Sequence, residues 1–263
     1  MEKPLVCITL RGRTVEEMVN DASKAEISEA DIVEVRIDHL WTIEEKIRSS
    51  NDSGNSEKEE FEVDISQIDF NELDYEEAIE NISSSISLPL MFTCRPQSQG
   101  GHFPGSEAER MEVLRKAIST KPDWIDLEIE IPKENRDELS QMAGKETKVI
   151  ASMHPKEGIP HQSEITQDIL DAIGSGDVVK ACYNIKDKKE ALRIFGAALD
   201  LASNDANFAL MGLGPGGDWT RIHAPILGQH IVFATTESGW HLAQQGRINA
   251  SDLMTAWELL EYC

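Results

Sequence analysis

Short runs rich in Val, Ile and Leu recur along the chain, separated by longer stretches in which apolar residues return every third or fourth position. The first pattern marks a buried strand and the second an amphipathic helix. Eight strand candidates stand out: "LVCITL" (5–10), "DIVEVRID" (31–38), "LPLMFTCR" (88–95), "DWIDLEI" (123–129), "KVIASMH" (148–154), "DVVKACYN" (177–184), "NFALMGLG" (207–214) and "HIVFATT" (230–236). Between them, "SEAERMEVLRKAIST" opens on Ser106 and Glu109 at capping-box spacing, and "KKEALRIFGAALDLAS" and "ASDLMTAWELLEY" also have helical periodicity. Eight strands alternating with helices predict a single-domain α/β protein with the (β/α)8 TIM-barrel architecture, although an open doubly wound sheet has the same alternation. No repeat at a solenoid period is evident.

One segment breaks the rhythm. Residues 48–64, "RSSNDSGNSEKEEFEVD", are rich in Ser, Asn, Gly and Glu and lack the apolar side chains to order themselves. They predict a flexible acidic insertion after the second strand rather than a domain boundary. Residues 44–80 hold fourteen acids against three bases, so much of the chain's acidity is local and solvated.

Charge narrows the partners. With 48 acidic residues against 25 Lys and Arg, the formal net charge of -23 argues against nucleic acid or an anionic membrane as a partner. At 263 residues the length suits one barrel of about 250 residues. No apolar run approaches the roughly twenty residues of a membrane span, and "MEKPLVCITL" lacks signal-peptide organisation. Cys7, Cys94, Cys182 and Cys263 form no CxxC pair or zinc spacing, so a metal site is not expected and a reducing cytoplasm is the default.

The chemistry starts at Lys180, placed among Val178, Val179, Ala181 and Cys182. A buried lysine is costly while charged and unpaired, and a neutral one is a nucleophile. The plainer alternative is a stem on apolar surface with its head in water. Barrel active sites lie at the C-terminal strand ends, so polar residues there should converge: Glu34, Arg36, Asp38, Arg95, Asp126, Glu128, His154, Lys180 and Arg221. Glu34, Arg36 and Asp38 alternate with Val35 and Ile37 and should share one strand face. For Asp126 and Glu128, ion pairs filling the barrel end are the expected role.

"EVRIDH" (34–39), "TCRP" followed by "GG" (93–101), "SMH" (152–154), "VVKA" (178–181) and "MGLGPGGDWTR" (211–221) stand in the order and approximate spacing of type I 3-dehydroquinate dehydratase, and the chain resembles that family over nearly its whole length outside the acidic insertion. The resemblance implies a barrel without metal or organic cofactor, commonly a homodimer, acting on the small molecule 3-dehydroquinate in the shikimate pathway. It implies Lys180 as the Schiff-base lysine and His154 as the proton-transfer residue. Glu34, Arg36, Arg95 and Arg221 match substrate-binding positions, with Arg221 the fork for a carboxylate, Glu34 and Arg95 the holders of hydroxyls, and Arg36 a charge that helps keep Lys180 neutral. His39 has no comparable partner and is read as structural.

Two positions depart from the family pattern. Gln99 stands where the family usually has the glutamate that orients the catalytic histidine; an amide can hold the ring but cannot stabilise an imidazolium, which predicts a lowered His154 pKa unless Glu34 or Asp38 reaches the ring. The lid "ESGWHLAQQGRI" (237–248) replaces a Ser-Ala-Pro-Gly-Gln stretch, so Gln244, Gln245 or Arg247 takes the place of the usual glutamine. A class I aldolase would share Lys180 and the fold but needs a phosphate loop, which is not evident. A catalytically silent metabolite-binding barrel is the other rival.

Overall fold

The computed structural model describes residues 3–48, 61–204 and 206–262. The expected runs form strands β1 (Leu5–Thr9), β2 (Ile32–Arg36), β5 (Leu90–Thr93), β6 (Trp124–Glu128), β7 (Lys148–Met153), β8 (Val178–Asn184), β9 (Phe208–Leu213) and β10 (Ile231–Ala234). They pair in parallel in the order β10-β1-β2-β5-β6-β7-β8-β9. His230 N–H, just before β10, donates to Phe208 O at 2.9 Å, which brings the two outermost strands together and nearly closes the barrel. The (β/α)8 expectation therefore holds.

Helices α1 (Val15–Ile27), α2 (Tyr75–Ser85), α3 (Glu107–Ser119), α4 (Lys133–Ala143), α5 (Gln162–Ala172), α6 (Lys188–Ala202), α7 (Gly217–Ile222), α8 (His241–Gln244) and α9 (Ala250–Leu259) lie between and after the strands. The capping box forms as the spacing requires: Ser106 Oγ accepts from Glu109 N–H at 3.3 Å, and Glu109 Oε2 accepts from Ser106 N–H at 2.6 Å.

The region after β2 departs from the expectation. Its first residues fold into an antiparallel ribbon of β3 (Thr42–Arg48) and β4 (Phe61–Gln67), so part of the segment read as a flexible insertion is strand. Residues 49–60, the centre of that insertion, lie outside the described residues. Strand β2 also ends two residues earlier than read; Asp38 belongs to the 3-10 turn Ile37–Trp41, where it folds back onto Arg36.

The period of two along each strand divides the core into an outer and an inner part. Val33 and Val35 of β2, Ile125 and Leu127 of β6, and Val179, Ala181 and Tyr183 of β8 pack outward under the helices. Inside, Cys7, Ile32, Met91, Trp124, Ile150, Val178, Ala209 and Ile231 form an apolar plug toward the strands' N-terminal ends. The same inward register continues upward as Glu34, Thr93, Asp126, Ser152 and Lys180, all buried. The inner face therefore changes from apolar to charged along the barrel axis, and a cavity opens above the change.

Candidate active site

Lys180 forms the floor of this cavity. It is 4% exposed, on the inward face of β8 between Val178 and Cys182. Its Nζ lies 3.1 Å from Asp126 Oδ2 and 3.7 Å from Glu34 Oε1, and 4.0 Å from the centre of the Phe233 ring. The lysine is thus buried as the sequence implied, yet it is not unpaired: two carboxylates and an aromatic face surround the nitrogen.

A buried network fixes those carboxylates. Arg95 donates through Nη2 to Asp126 Oδ2 at 2.9 Å and through Nη1 to Glu128 Oε1 at 2.6 Å, and Arg110 Nη1 donates to Glu128 Oε2 at 2.7 Å. Ser152 Oγ donates to Asp126 Oδ1 at 2.5 Å. Burial alone would raise the Asp126 carboxyl, but Arg95, Lys180 and His154 outweigh it and hold the group well below the usual carboxylate range. Glu34 accepts from Thr9 Oγ1 at 2.6 Å and Thr93 Oγ1 at 2.8 Å. Burial pushes its carboxyl up as well, and Lys180 and Arg36 bring it below its ordinary value. Both acids stay ionised because cations and donors replace the lost water.

Arg95 lines the cavity, but Nη1 and Nη2 are engaged with Asp126, Glu128 and Ser152, which makes it the anchor of the acids rather than a free holder of hydroxyls. Arg36 is likewise satisfied, donating from Nε and Nη2 to Asp38 at 2.8 and 2.7 Å. Its charge is offset by Asp38 while Lys180 faces acids, so the electrostatic pressure expected of Arg36 on the lysine is balanced by opposite charges.

His154 follows β7 and lines the same cavity. Burial pushes its imidazole well below 6.5, and Arg95 and Lys180 add to the effect; the ring is neutral at pH 7. The direction agrees with that expected from Gln99, but the causes are burial and neighbouring cations. Nδ1 meets Gln99 Oε1 at 3.2 Å, and Gln99 Nε2 in turn donates to Glu130 Oε2 at 2.9 Å. An amide oxygen opposite Nδ1 assigns the ring proton there and leaves a lone pair on Nε2.

Arg221 reaches the cavity from α7, after the glycine-rich loop. Its Nε donates to Phe233 O at 2.9 Å, and Nη1 is shared among the carbonyls of Gly212, Gly217 and Gly246 at 2.9, 2.9 and 2.6 Å. Glycine is required for this convergence: a Cβ at Gly217 would stand 2.2 Å from Gly212 O, and Gly246 adopts φ +71°. Among the described residues Nη2 makes no hydrogen bond and no carboxylate pairs the guanidinium. Arg221 therefore presents a buried, uncompensated positive charge to the cavity through Nη2, in place of the two-pronged fork anticipated.

In the lid, Arg247 lines the cavity whereas Gln244 and Gln245 are exposed and do not. Arg247 Nη1 lies 2.9 Å from Glu237 Oε2, and Nη2 donates to Thr235 Oγ1 at 3.0 Å. His39, read as structural, also lines the cavity; among the described residues its buried Nδ1 has no hydrogen-bond partner, and burial lowers its pKa to about 4.

Thr9, Thr93, Ser152 and Phe233 extend the site beyond the residues singled out from sequence, and Asp126, expected there as an ion-pair member, pairs both Arg95 and Lys180. The signal for Asp126 was its polar side chain at an inward position of an apolar strand, which also fits a simple ion pair. The assembled cavity holds about 470 Å³, ample for one small acid, with a nucleophile-type amine below, a neutral imidazole at the side and an unpaired guanidinium facing in. That combination can capture a carbonyl, move a proton beside it and hold an anion.

Comparison with known proteins gives a consistent picture. Residues 6–262 match the family model "Type I 3-dehydroquinase". A 3-dehydroquinate dehydratase of Methanothrix thermoacetophila is 33% identical over 213 residues, covering 81% of this chain and 75% of the relative. That of Methanosarcina barkeri is 30% identical over 189 residues, 70% and 78% of the two chains. Among solved structures, the 3-dehydroquinate dehydratase of Geobacillus kaustophilus superposes with a TM-score of 0.78 at 18% identity over 98% of this chain and 91% of its own. The type I enzyme of Clostridium difficile, carrying covalently modified comenic acid, gives 0.77 at 22% identity, covering 98% and 92%.

Proposed function

This chain belongs to the type I 3-dehydroquinase family, and we propose the following division of labour for its conversion of 3-dehydroquinate to 3-dehydroshikimate and water, a step of the shikimate pathway. Family membership removes the aldolase reading and makes the chain a lyase. Lys180 gives a proton to neutral His154 and attacks the substrate ketone as the free amine; His154 returns that proton to the carbinolamine hydroxyl, and loss of water gives an iminium ion that acidifies the neighbouring carbon. His154, neutral with its Nε2 lone pair free, removes a proton from that carbon and returns one to the departing hydroxyl. A final water molecule hydrolyses the product from Lys180.

The observation that carries this assignment is the placement of Lys180 at the floor of the cavity between Asp126 and Glu34. The iminium ion places a positive charge on the lysine nitrogen, and the two acids stand where they pair it. Arg221 Nη2 supplies the charge for the ring carboxylate, with Arg247 above it in the lid. Glu34 and Arg36 complete the wall that meets the hydroxyls, and Gln99 supports His154. Gln245 acts on the substrate only through Arg247, whose Nη1 lies 3.3 Å from its Oε1.

The enzyme works without a metal or organic cofactor, as a cytoplasmic homodimer formed from one barrel domain per chain with residues about 48–64 as its insertion. Support for this comes from the resemblance, while the net charge of -23 speaks only against nucleic acid or an anionic membrane as partner; among the described residues no helix is long and apolar enough to cross a membrane.

Borohydride reduction in the presence of 3-dehydroquinate, followed by mass spectrometry of the intact chain and its peptides, tests the reading. A stable adduct on Lys180 is expected. No adduct, under conditions that trap another type I enzyme, would favour the silent metabolite-binding barrel instead.

A further inference from the structure

Glu130 is exposed in the turn after β6 and carries no signal in the sequence. Its carboxylate accepts from Gln99 Nε2 at 2.9 Å, while Gln99 Oε1 meets His154 Nδ1 at 3.2 Å. Carboxylate, amide and imidazole thus form a chain running inward from the surface. A carboxylate in direct contact with a histidine accepts from it whichever oxygen faces the ring. A carboxamide does not: its two ends have nearly the same shape but opposite hydrogen-bonding character. With the oxygen inward, the ring proton sits on Nδ1 and Nε2 keeps its lone pair. With the NH2 inward, Nδ1 must accept, the proton moves to Nε2, and the ring can no longer take a proton there.

An ionised carboxylate only accepts, so Glu130 admits the NH2 end of Gln99 and turns the oxygen toward His154. We propose that Glu130 is a positioning residue that fixes the tautomer of His154 through Gln99, supplying from one residue further out the orientation that a glutamate at position 99 would supply directly. This rests on the reading of His154 as the proton-transfer residue. Arg95, Lys180, Asp126 and Arg36 are the charged groups that face the ring from the other strands, and none of them sets the Gln99 amide.

The test reverses the charge. In Glu130→Lys an ammonium can only donate, so it draws the oxygen of Gln99 outward and presents the NH2 to the ring. The 15N spectrum of His154 should change from the Nδ1–H to the Nε2–H form. Turnover of 3-dehydroquinate should fall by about a hundredfold or more, within the range of roughly 10²–10⁴ that general acid–base catalysis supplies, with KM within about twofold. Adding Gln99→Glu to Glu130→Lys should restore the Nδ1–H form and most of the turnover, because a carboxylate accepts from both sides. Glu130→Gln, which keeps the size and loses the charge, should show both tautomers and a smaller loss. An unchanged 15N spectrum in Glu130→Lys overturns the proposal, whether or not turnover falls. Inversion of the tautomer in a chain whose parent does not turn over 3-dehydroquinate would uphold the positioning role while removing the reading it was meant to serve.

Discussion

Lys180 Nζ and Asp126 Oδ2 stand 3.1 Å apart inside the barrel, although 54 residues separate them in the chain. The contact joins the two halves of the site. Asp126 accepts from Ser152 at Oδ1 and from both Arg95 and Lys180 at Oδ2, so the network that anchors the floor also holds the lysine nitrogen in place.

Asp126→Asn removes the charge and keeps the shape. Arg95 and Lys180 each lose a buried partner, and breaking such a pair costs about 3–5 kcal/mol, so the urea midpoint should fall accordingly. Turnover should fall by roughly ten- to a hundredfold, the worth of one charge-assisted contact. Parent stability together with parent turnover would exclude Asp126 from both roles.

Arg221→Lys separates anion binding from chemistry. The amine can reach a carboxylate but cannot satisfy the carbonyls of Phe233, Gly212, Gly217 and Gly246 as the guanidinium does. KM for 3-dehydroquinate should rise roughly tenfold or more, by loss of a charged hydrogen bond of about 1.5–3 kcal/mol, with a smaller fall in kcat. An unchanged KM would assign the carboxylate to another group.

Arg247→Ala tests the lid. Arg247 is tied to Glu237 and Thr235 outside the floor network, so its loss should raise KM more than it lowers kcat and leave the borohydride adduct on Lys180 intact. An equal fall in kcat and kcat/KM, with KM unchanged, would place Arg247 in the chemical step instead.

His39 makes stability depend on pH. Its native pKa of about 4 lies below the ordinary 6.5, so between these values the unfolded chain binds a proton that the folded one does not. Stability is therefore lost as pH falls below 6.5 and the loss levels off near 4, with about 3 kcal/mol as the upper bound for this residue. His39→Phe should match the parent within about 1 kcal/mol at pH 7 and exceed it at pH 4.5 in urea denaturation. Parallel curves at the two pH values would show that His39 does not carry the dependence.

The barrel was legible in the sequence because its strands are buried on both sides and read as continuous apolar runs, with the functional side chains as polar interruptions of those runs. Lys180, Glu34 and His154 could be found that way. The β3–β4 ribbon could not, since Glu44, Glu45 and Asp64 are exposed and such a ribbon gives no core-directed pattern. Neither could the pairing of Lys180, because the acids that flank it become its neighbours only once the sheet curves round. Glu130 lay beyond reach for a related reason: its contact with Gln99 depends on two loops at the barrel mouth, whose approach no local periodicity encodes.

The grip of main-chain carbonyls on Arg221 bears on how such a site can be remodelled. Carbonyl oxygens are the same whatever side chains a loop carries, so the position of Arg221 is insulated from substitutions around it so long as Gly217 and Gly246 keep the backbone path. Lid and rim outside those glycines can then vary without moving the Arg221 guanidinium. An engineer wishing to admit a different ring onto Lys180 would do well to vary lid residues 237–245 first and keep Gly246, because such a library retains the backbone path that holds Arg221.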